Sequence, residues 1–156
     1  MAKGNEMLKE SKDQAFVMTR IFDASRVVVF KAWTKPGHLK HWWGRKDFIM
    51  PVCEVDLRTG GGFRFCMRSP EGVDYWVKGV YQEIVAPARI VFRYALEGHE
   101  LNHDSLATVT FEEQGDKTRM TLHQVLLDLR QGRKDAAEGW IQGLESLEKY
   151  LQHNNR

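Results

Sequence analysis

Residues 56–65 read Asp-Leu-Arg-Thr-Gly-Gly-Gly-Phe-Arg-Phe, with three consecutive glycines just before a segment in which apolar and polar residues alternate. A phosphate-binding loop would need a helix after the glycines, and a Lys-Ser/Thr pair or a further Gly at fixed spacing. Here the segment from Phe63 to Arg68 continues as a strand, because its odd positions are apolar. We therefore predict a turn between two antiparallel strands, in which glycine supplies positive φ without a Cβ clash.

The pairing across this turn predicts the state of the two cysteines. In the register that we expect, odd-numbered residues oppose each other in pairs: Leu57 and Phe63, Val55 and Phe65, Cys53 and Met67. Cys66 then lies with Glu54 on the other face. Because one disulfide cannot join opposite faces, we predict two free thiols, as in a reducing compartment. The same register places Asp56 opposite Arg64 as a cross-strand ion pair.

Length and composition limit the class of protein. The 156 residues are 42% hydrophobic, which suits one domain with a substantial core, predicted over residues 15–152 after a flexible segment 1–14. No run approaches the roughly 20 apolar residues of a membrane span, and the polar N-terminus does not resemble a signal peptide, so we expect a cytoplasmic protein. The net charge of +2 is spread without a basic stripe, which argues against nucleic acid as a partner.

Hydrophobic periodicity predicts one strand, two short helices, six more strands and one long helix. The strands are predicted over residues 16–22, 52–57, 63–67, 73–84, 89–94, 106–113 and 118–125. Asp23 or Ser25 caps the first helix, and Pro36-Gly37 separates it from a second that closes at Gly44. In the last segment the period changes to 3.6, with an apolar stripe of Ala136, Trp140, Leu144, Leu147 and Leu151. This α+β pattern indicates a curved seven-stranded antiparallel sheet that covers its apolar face with the last helix.

Several phrases together carry a family resemblance. They are TRIFDASRVVVFKAWTKPGHLKHWWG, EVDLRTGGGFRF, VKGVYQEIVAPARIVF, TRMTLHQV and EGWIQGLESLEKYL. Over roughly residues 15–152 the chain resembles the activator of Hsp90 ATPase homologue 1-like (AHSA1-type) branch of the START-like, or SRPBCC, superfamily. The resemblance implies the helix-grip (Bet v 1-like) fold, with a largely apolar cavity between sheet and helix. It implies no particular reaction, since the superfamily includes lipid and hormone binders, polyketide cyclases and domains without assigned activity.

Strand parity selects the residues that would line such a cavity. From four strands these are Phe63, Phe65, Met67, Phe92, Tyr94, Val109, Phe111, Leu122 and Gln124. Both faces of the strand over residues 73–84 carry aromatic residues, so either Tyr75 and Tyr81 or Trp76 would face inward. A bulge at Gly79 would switch the register within this strand. Gln124 is the polar exception, which either hydrogen-bonds locally or contacts a ligand.

Tryptophans complete the predicted cavity. Trp42 or Trp43 would stand near its entrance, while Trp140 and Leu144 would form its floor on the long helix. Core packing alone also accounts for such large aromatic residues, and both roles are compatible.

Metal and catalytic sites have weaker signals. His38 and His41 stand at i, i+3, and His99 and His103 at i, i+4, but neither pair has an obvious third ligand, so we predict no metal and no cofactor. No nucleophile elbow or nucleotide fingerprint is present, and we assign no catalytic residue. Glu83 and Arg89 are predicted to form a structural ion pair.

The preferred function is a small-molecule binding module whose ligand is lipophilic or aromatic. Two alternatives remain: a cyclase-like or hydrolase-like enzyme of the same superfamily, and a co-chaperone, which the family name implies. The chaperone partner is disfavoured because the activator uses an additional N-terminal domain to engage its chaperone. The sequence leaves open whether the cavity is filled by its own side chains and whether the chain forms a homodimer.

Overall fold

The computed structural model of the chain describes residues 7–10, 15–97, 105–126 and 133–154. In chain order the elements are β1 (Met7–Glu10), β2 (Ala15–Phe22), α1 (Arg26–Thr34), α2 (Pro36–Leu39), β3 (Ile49–Val55), β4 (Gly62–Arg68), β5 (Asp74–Val85), β6 (Arg89–Leu96), β7 (Ser105–Gln114), β8 (Lys117–Leu126) and α3 (Arg133–Asn154). The strands form one antiparallel sheet in the order β1-β2-β8-β7-β6-β5-β4-β3. The predicted α+β helix-grip class is confirmed.

All seven predicted strands are present, as β2 to β8, and β1 is an addition at one edge of the sheet. It pairs with β2, with Leu8 opposite Met18. This strand lies inside the segment 1–14 that we predicted to be flexible. Four residues of mixed polarity are too few to show a period of two, which explains why the pattern missed them. Residues 1–6 and 11–14 lie outside the described residues.

The two short helices differ slightly from the prediction. Ser25 caps α1 by accepting a hydrogen bond from the backbone N–H of Val28 at 3.4 Å. Pro36 occupies the first position of α2, where proline is favoured because its missing N–H would be unpaired anyway. The second helix therefore starts earlier than predicted and ends at Leu39. Turns follow it as far as Asp47 and carry the two adjacent tryptophans, with Gly44 at φ 96°.

The glycine-rich segment is a turn, as predicted. Its amides are used inside the chain: the Gly60 N–H donates to the Tyr81 carbonyl at 2.7 Å, and the Gly61 N–H donates to the Arg58 carbonyl at 2.8 Å. Gly60 has φ 86°, a conformation that favours glycine. Two of the amides that a phosphate loop would direct at an anion are thus engaged with carbonyls.

The predicted register of the β3–β4 hairpin is wrong by two residues. Val55 pairs with Phe63 instead of Phe65, and Arg64 stands opposite Glu54 instead of Asp56. The loop is longer than expected, because the Asp56 N–H closes it by donating to the Gly62 carbonyl at 2.9 Å. A shift of two residues keeps every side chain on its predicted face.

This register gives the charged residues different partners. Arg64 forms a bidentate pair with Glu97, with nitrogen–oxygen distances of 2.7 and 3.0 Å. Asp56 accepts from Arg58 in its own loop at 2.9 Å. The predicted pair between Glu83 and Arg89 is confirmed at 2.8 Å.

The register shift in β5 lies between Tyr81 and Glu83, not at Gly79, so the pairing with β4 keeps Tyr75 and Tyr81 on one face of the sheet. Tyr81 is buried in the core. Tyr75 lies at the far end of the strand and is 37% exposed. Trp76 faces outward, with the Arg64 guanidinium 4.0 Å from its ring centre. Of the aromatic alternatives for this strand, only Tyr81 therefore joins the core.

Gly79 has a steric role in the core. It stands directly opposite Phe63, whose ring covers the space where a side chain would be. A Cβ added at Gly79 would lie 2.2 Å from the Phe63 Cζ and 2.6 Å from the Arg93 carbonyl oxygen. The absence of a side chain therefore lets the Phe63 ring lie flat on the sheet and stack on Phe65 at 5.0 Å.

The core lies between the sheet and the helices. From α1, Val29, Phe30 and Trp33 are buried, and from α3 the buried residues are Ala137, Trp140, Leu144, Leu147 and Leu151. The predicted stripe of α3 thus covers the sheet, except that Ala136 lies at its edge. Among the described residues, no helix is both long and apolar enough to span a membrane.

Both cysteines are free, and they lie on opposite faces of the hairpin. Burial raises the pKa of the Cys53 thiol to about 11 and also raises that of Cys66. Because the thiolate is the reactive form, we expect both cysteines in the native protein to react slowly with a disulfide reagent at pH 8. After unfolding in denaturant without reductant, alkylation should label both thiols, as measured by mass spectrometry. A protein that stays unlabelled and is lighter by two hydrogens would contain a disulfide and would contradict this arrangement.

Candidate ligand-binding cleft

The space between sheet and helix is filled largely by aromatic rings. Trp33 stacks on Trp140 with a centroid distance of 5.6 Å, and Trp43 contacts Trp140 at 4.9 Å and Phe65 at 5.2 Å. The cavity left between them measures about 10 Å³, roughly the space of one water molecule. Its lining comprises Trp33, Leu39, Trp43, Phe63, Phe65, Tyr81, Ile90 and Phe92. Most of the predicted cavity is therefore occupied by the protein's own side chains.

A second, open space lies at one end of this aromatic core, which we call the cleft. Its volume is about 210 Å³, and its lining comprises Trp43, Gly44, Arg45, Tyr94, Leu96, Ala136, Gly139 and Trp140. Three elements meet there: the turn after α2, the end of β6 and the first turns of α3. The two small residues of α3, Ala136 and Gly139, leave room that larger side chains would fill.

A hydrogen-bond network forms the back of the cleft. The Gln124 side chain, fully buried on β8, accepts from the Trp140 indole N–H at 2.6 Å and from the Tyr94 hydroxyl at 2.9 Å. Its amide nitrogen lies 3.4 Å from the Ser105 hydroxyl oxygen. Gln124 is thus satisfied by side chains of three other elements, which ties the rim of the cleft to the centre of the sheet.

Tyr94 belongs both to the cleft and to this network. Its ring is partly exposed along the cleft, while its hydroxyl is directed into the hydrogen bonds with Gln124 and Trp140. Burial raises the pKa of this hydroxyl to about 12. The hydroxyl therefore stays protonated at neutral pH, and it serves as a hydrogen-bond donor, not as a base.

The turn that carries Trp43 is fastened to α3. The Lys46 backbone N–H donates to the Gln142 side-chain oxygen at 3.1 Å, and the Lys46 ammonium lies 3.3 Å from a Glu145 carboxylate oxygen. Gly143 faces the turn, and a Cβ added there would lie 3.4 Å from the Gly44 carbonyl oxygen, an ordinary van der Waals distance. The contacts of Lys46 with α3 thus hold the turn that forms one wall of the cleft.

The residues predicted to line a cavity divide into three groups. Trp43, Tyr94 and Trp140 line the cleft, and Gln124 stands behind it. The largest group is buried in the packed core: Trp42, Phe63, Phe65, Met67, Tyr81, Phe92, Val109, Phe111, Leu122 and Leu144. Tyr75 is exposed near one end of β5, where it pairs with Met67 near the end of β4. It lines neither the cleft nor the small interior cavity.

Five residues that line the cleft were not predicted from the sequence to do so: Gly44, Arg45, Leu96, Ala136 and Gly139. One signal was available for Gly139. It precedes Gly143 by four residues, so both glycines share one face of a helix that each of them weakens. Such a pair indicates close approach of another segment or open space at that face.

The first histidine pair contacts a tyrosine. The His38 ring Nδ1 hydrogen-bonds to the Tyr150 hydroxyl at 2.5 Å, and the His41 ring stacks on the Tyr150 ring at 5.2 Å. The described part of the chain contains no group of three His, Cys, Asp or Glu side chains that could hold a metal ion. The second pair, His99 and His103, lies outside the described residues.

A broader depression of about 630 Å³ lies elsewhere, near the β3–β4 turn. Its lining is mostly charged and solvated, and the bidentate pair of Arg64 with Glu97 crosses it. Phe63 is its single aromatic lining residue, whereas three aromatic residues line the smaller cleft, so we regard the cleft as the candidate site.

The elements around the cleft are those of a known family. Residues 23–152 match the model of a family described as activator of Hsp90 ATPase homolog 1-like protein. The chain belongs to this family. The match spans α1 to α3, and it therefore includes every element that forms the cleft. No curated protein matches the sequence.

Solved structures share the fold of this activator-of-Hsp90-ATPase-like chain. A crystal structure from Chromobacterium violaceum has 23% identity and a TM-score of 0.82, covering 87% of this chain and 95% of that one. A solution structure from Arthrobacter aurescens has 24% identity and a TM-score of 0.84, with 94% and 91% covered. A Rhizobium leguminosarum structure has 27% identity and a TM-score of 0.76, with 96% and 99% covered. These similarities support the fold described above.

Proposed function

We propose that this chain is a small-molecule binding module that holds a lipophilic or aromatic group in the cleft. The observation that carries the proposal is the composition of the cleft walls. Trp43, Tyr94 and Trp140 supply aromatic surface, while Ala136 and Gly139 leave the opposite wall without bulk. Concave, mostly apolar sites with a few polar groups are typical of small-molecule binding.

The volume limits what enters. A cavity of about 150 Å³ can hold benzene, and typical ligand sites measure roughly 300 to 1,000 Å³. The cleft, at about 210 Å³, therefore suits one ring or a short alkyl chain, with the rest of the ligand outside. Trp43 borders both the cleft and the small interior cavity. A shift of its ring would join the two spaces and admit a larger group.

The enzymatic and co-chaperone alternatives have less support. A cyclase or hydrolase needs convergent polar groups that exchange protons, whereas the Tyr94 hydroxyl is engaged with Gln124 and its pKa is raised to about 12. A chaperone partner is supported by the family name, but not by any feature of the described surface. If no probe binds in the following experiment, that result would favour these two alternatives.

The test uses N-phenyl-1-naphthylamine, a neutral fluorescent probe, in titrations of the folded protein. We expect saturable binding with one dominant site in the wild type. Gly139→Leu should weaken binding by about tenfold, because a leucine side chain would fill the cleft. Leucine is also a better helix former than glycine, by up to roughly 1 kcal/mol, so the variant should fold at least as well.

Gly143→Ala is the matched control. It also replaces a helix glycine, but Gly143 does not line the cleft, and its added Cβ would be in ordinary contact with the turn. Its probe affinity should equal that of the wild type. The proposal is refuted if no saturable binding appears, or if Gly139→Leu binds the probe as tightly as Gly143→Ala does.

A further inference from the structure

Arg45 is the one charged residue among the described residues that line the cleft. Its side chain is partly buried, and its guanidinium lies beside α3 at Gly139. A Cβ added at Gly139 would lie 3.8 Å from the Arg45 Nη2 and 3.9 Å from its Cζ. The guanidinium therefore lies against the helix at van der Waals distance, and a positive charge stands directly beside the aromatic walls.

The residues on both sides of Arg45 are held against α3. Lys46 is bound to α3 through its backbone N–H to Gln142 and through its ammonium group to Glu145. Gly44, on the other side of Arg45, packs closely against Gly143. Because the residues on both sides contact the helix, the base of the Arg45 side chain has little freedom, and less conformational entropy is lost when a ligand binds.

Two carboxylates near this end of the molecule have cationic partners of their own. Glu97, next to the cleft residue Leu96, forms the bidentate pair with Arg64, and Glu145 contacts Lys46. A guanidinium also has five N–H donors, so it can retain a protein partner and still bind two oxygens of a ligand.

We propose that the ligand of the cleft is an amphipathic anion: a carboxylate bound by Arg45 and an aromatic or aliphatic body against Trp43, Tyr94 and Trp140. The planar fork of the guanidinium matches the two oxygens of a carboxylate. This inference rests on the proposed function and specifies the class of its ligand. It also assigns Arg45 as the residue that orients the ligand, with the polar end toward the turn.

Two fluorescent probes distinguish the effect of an anionic group on binding from the effect of the apolar ring system. 8-Anilino-1-naphthalenesulfonate carries a sulfonate on the ring system of N-phenyl-1-naphthylamine, which has none. Arg45→Gln should weaken binding of the sulfonate probe by about tenfold, since hydrogen bonds to charged groups have large effects in a partly desolvated site. The neutral probe should change by less than about twofold, because its contacts are apolar. Arg45→Lys, which keeps the charge without the fork, should restore part of the affinity.

Lys149→Gln is the matched control for net charge. It removes one positive charge at an exposed position of α3 that does not line the cleft, and it should leave both affinities within about twofold because solvated charges interact weakly. A competition arm tests the carboxylate itself: decanoate should displace the neutral probe from the wild type at a lower concentration than decanol does. In Arg45→Gln this preference should disappear.

The outcomes separate the two proposals. If the neutral probe binds saturably but Arg45→Gln affects both probes equally, or neither, the anion inference is overturned and the binding module stands. The anion inference is also overturned if decanoate and decanol compete equally in the wild type. If neither probe binds the wild type, the proposed function fails and the anion inference fails with it.

Discussion

Gly79→Ala is expected to lower the free energy of unfolding by about 3 kcal/mol, near the upper end of the usual cost of overpacking. The added methyl group would meet the Phe63 ring at 2.2 Å and the Arg93 carbonyl oxygen at 2.6 Å. The ring has to leave its stack on Phe65, while the carbonyl belongs to the neighbouring strand and cannot move alone. Urea denaturation followed by circular dichroism measures the change, provided that the m-value stays constant.

Gly62→Ala is the control for a glycine in the adjacent strand. Its added Cβ would come no closer than 3.4 Å, to the Gly79 carbonyl oxygen. We expect a change in stability of at most about 1 kcal/mol in either direction. If Gly79→Ala were as stable as Gly62→Ala, the Phe63 ring would not lie over Gly79 in solution.

Gln124→Leu should destabilise the protein by about 2 to 3 kcal/mol, because it removes an acceptor that serves two donors in a buried site. The Tyr94 hydroxyl would lose its 2.9 Å bond and the Trp140 indole its 2.6 Å bond. The Trp140 N–H would keep only its longer contact with the Tyr94 hydroxyl oxygen, at 3.2 Å. Thermal or urea unfolding gives the loss, and tryptophan emission reports the altered surroundings of Trp140.

Tyr94→Phe provides the comparison for this network. It removes one donor but leaves Gln124 bound to Trp140, so we expect a loss of only about 1 kcal/mol. A Gln124→Leu variant that is no less stable than Tyr94→Phe would show that the amide is not the centre of the network. Neither substitution changes the charge of the protein, so both measurements can be made in the same buffer.

The architecture could be predicted because it depends on periodicity. Alternation located seven strands, although it left the inward face of the strand over residues 73–84 open, and a 3.6-residue stripe located α3, since burial of one face produces both patterns. Periodicity does not fix the offset between strands. A shift of two residues preserves every face, so the pairing of Val55 with Phe63 depended on how the loop after it folds.

The cleft was harder to predict, because it depends on small side chains that leave space unfilled. Ala136 and Gly139 contribute to it by having little or no side chain, and no pattern of apolar residues records such a gap. Arg45 resembles any other surface arginine in the sequence, and only its approach to Gly139 distinguishes it. The polar network was partly foreseen, since parity placed both Tyr94 and Gln124 inside. That they bind each other and Trp140 follows from the packing of α3 on the sheet.

The aromatic core has a consequence for optical spectroscopy. Four of the five tryptophans form one cluster of neighbouring rings: Trp33, Trp42, Trp43 and Trp140. Within it, the rings of Trp33 and Trp140 are nearly parallel, with an interplanar angle of 22°. At such separations the electronic transitions of the indoles couple. The far-ultraviolet dichroism of this protein should therefore contain an exciton signal in addition to the backbone signal. A helix content calculated from that spectrum alone will be biased, and the exciton band will follow the packing of Trp33 on Trp140 through unfolding, separately from the backbone signal.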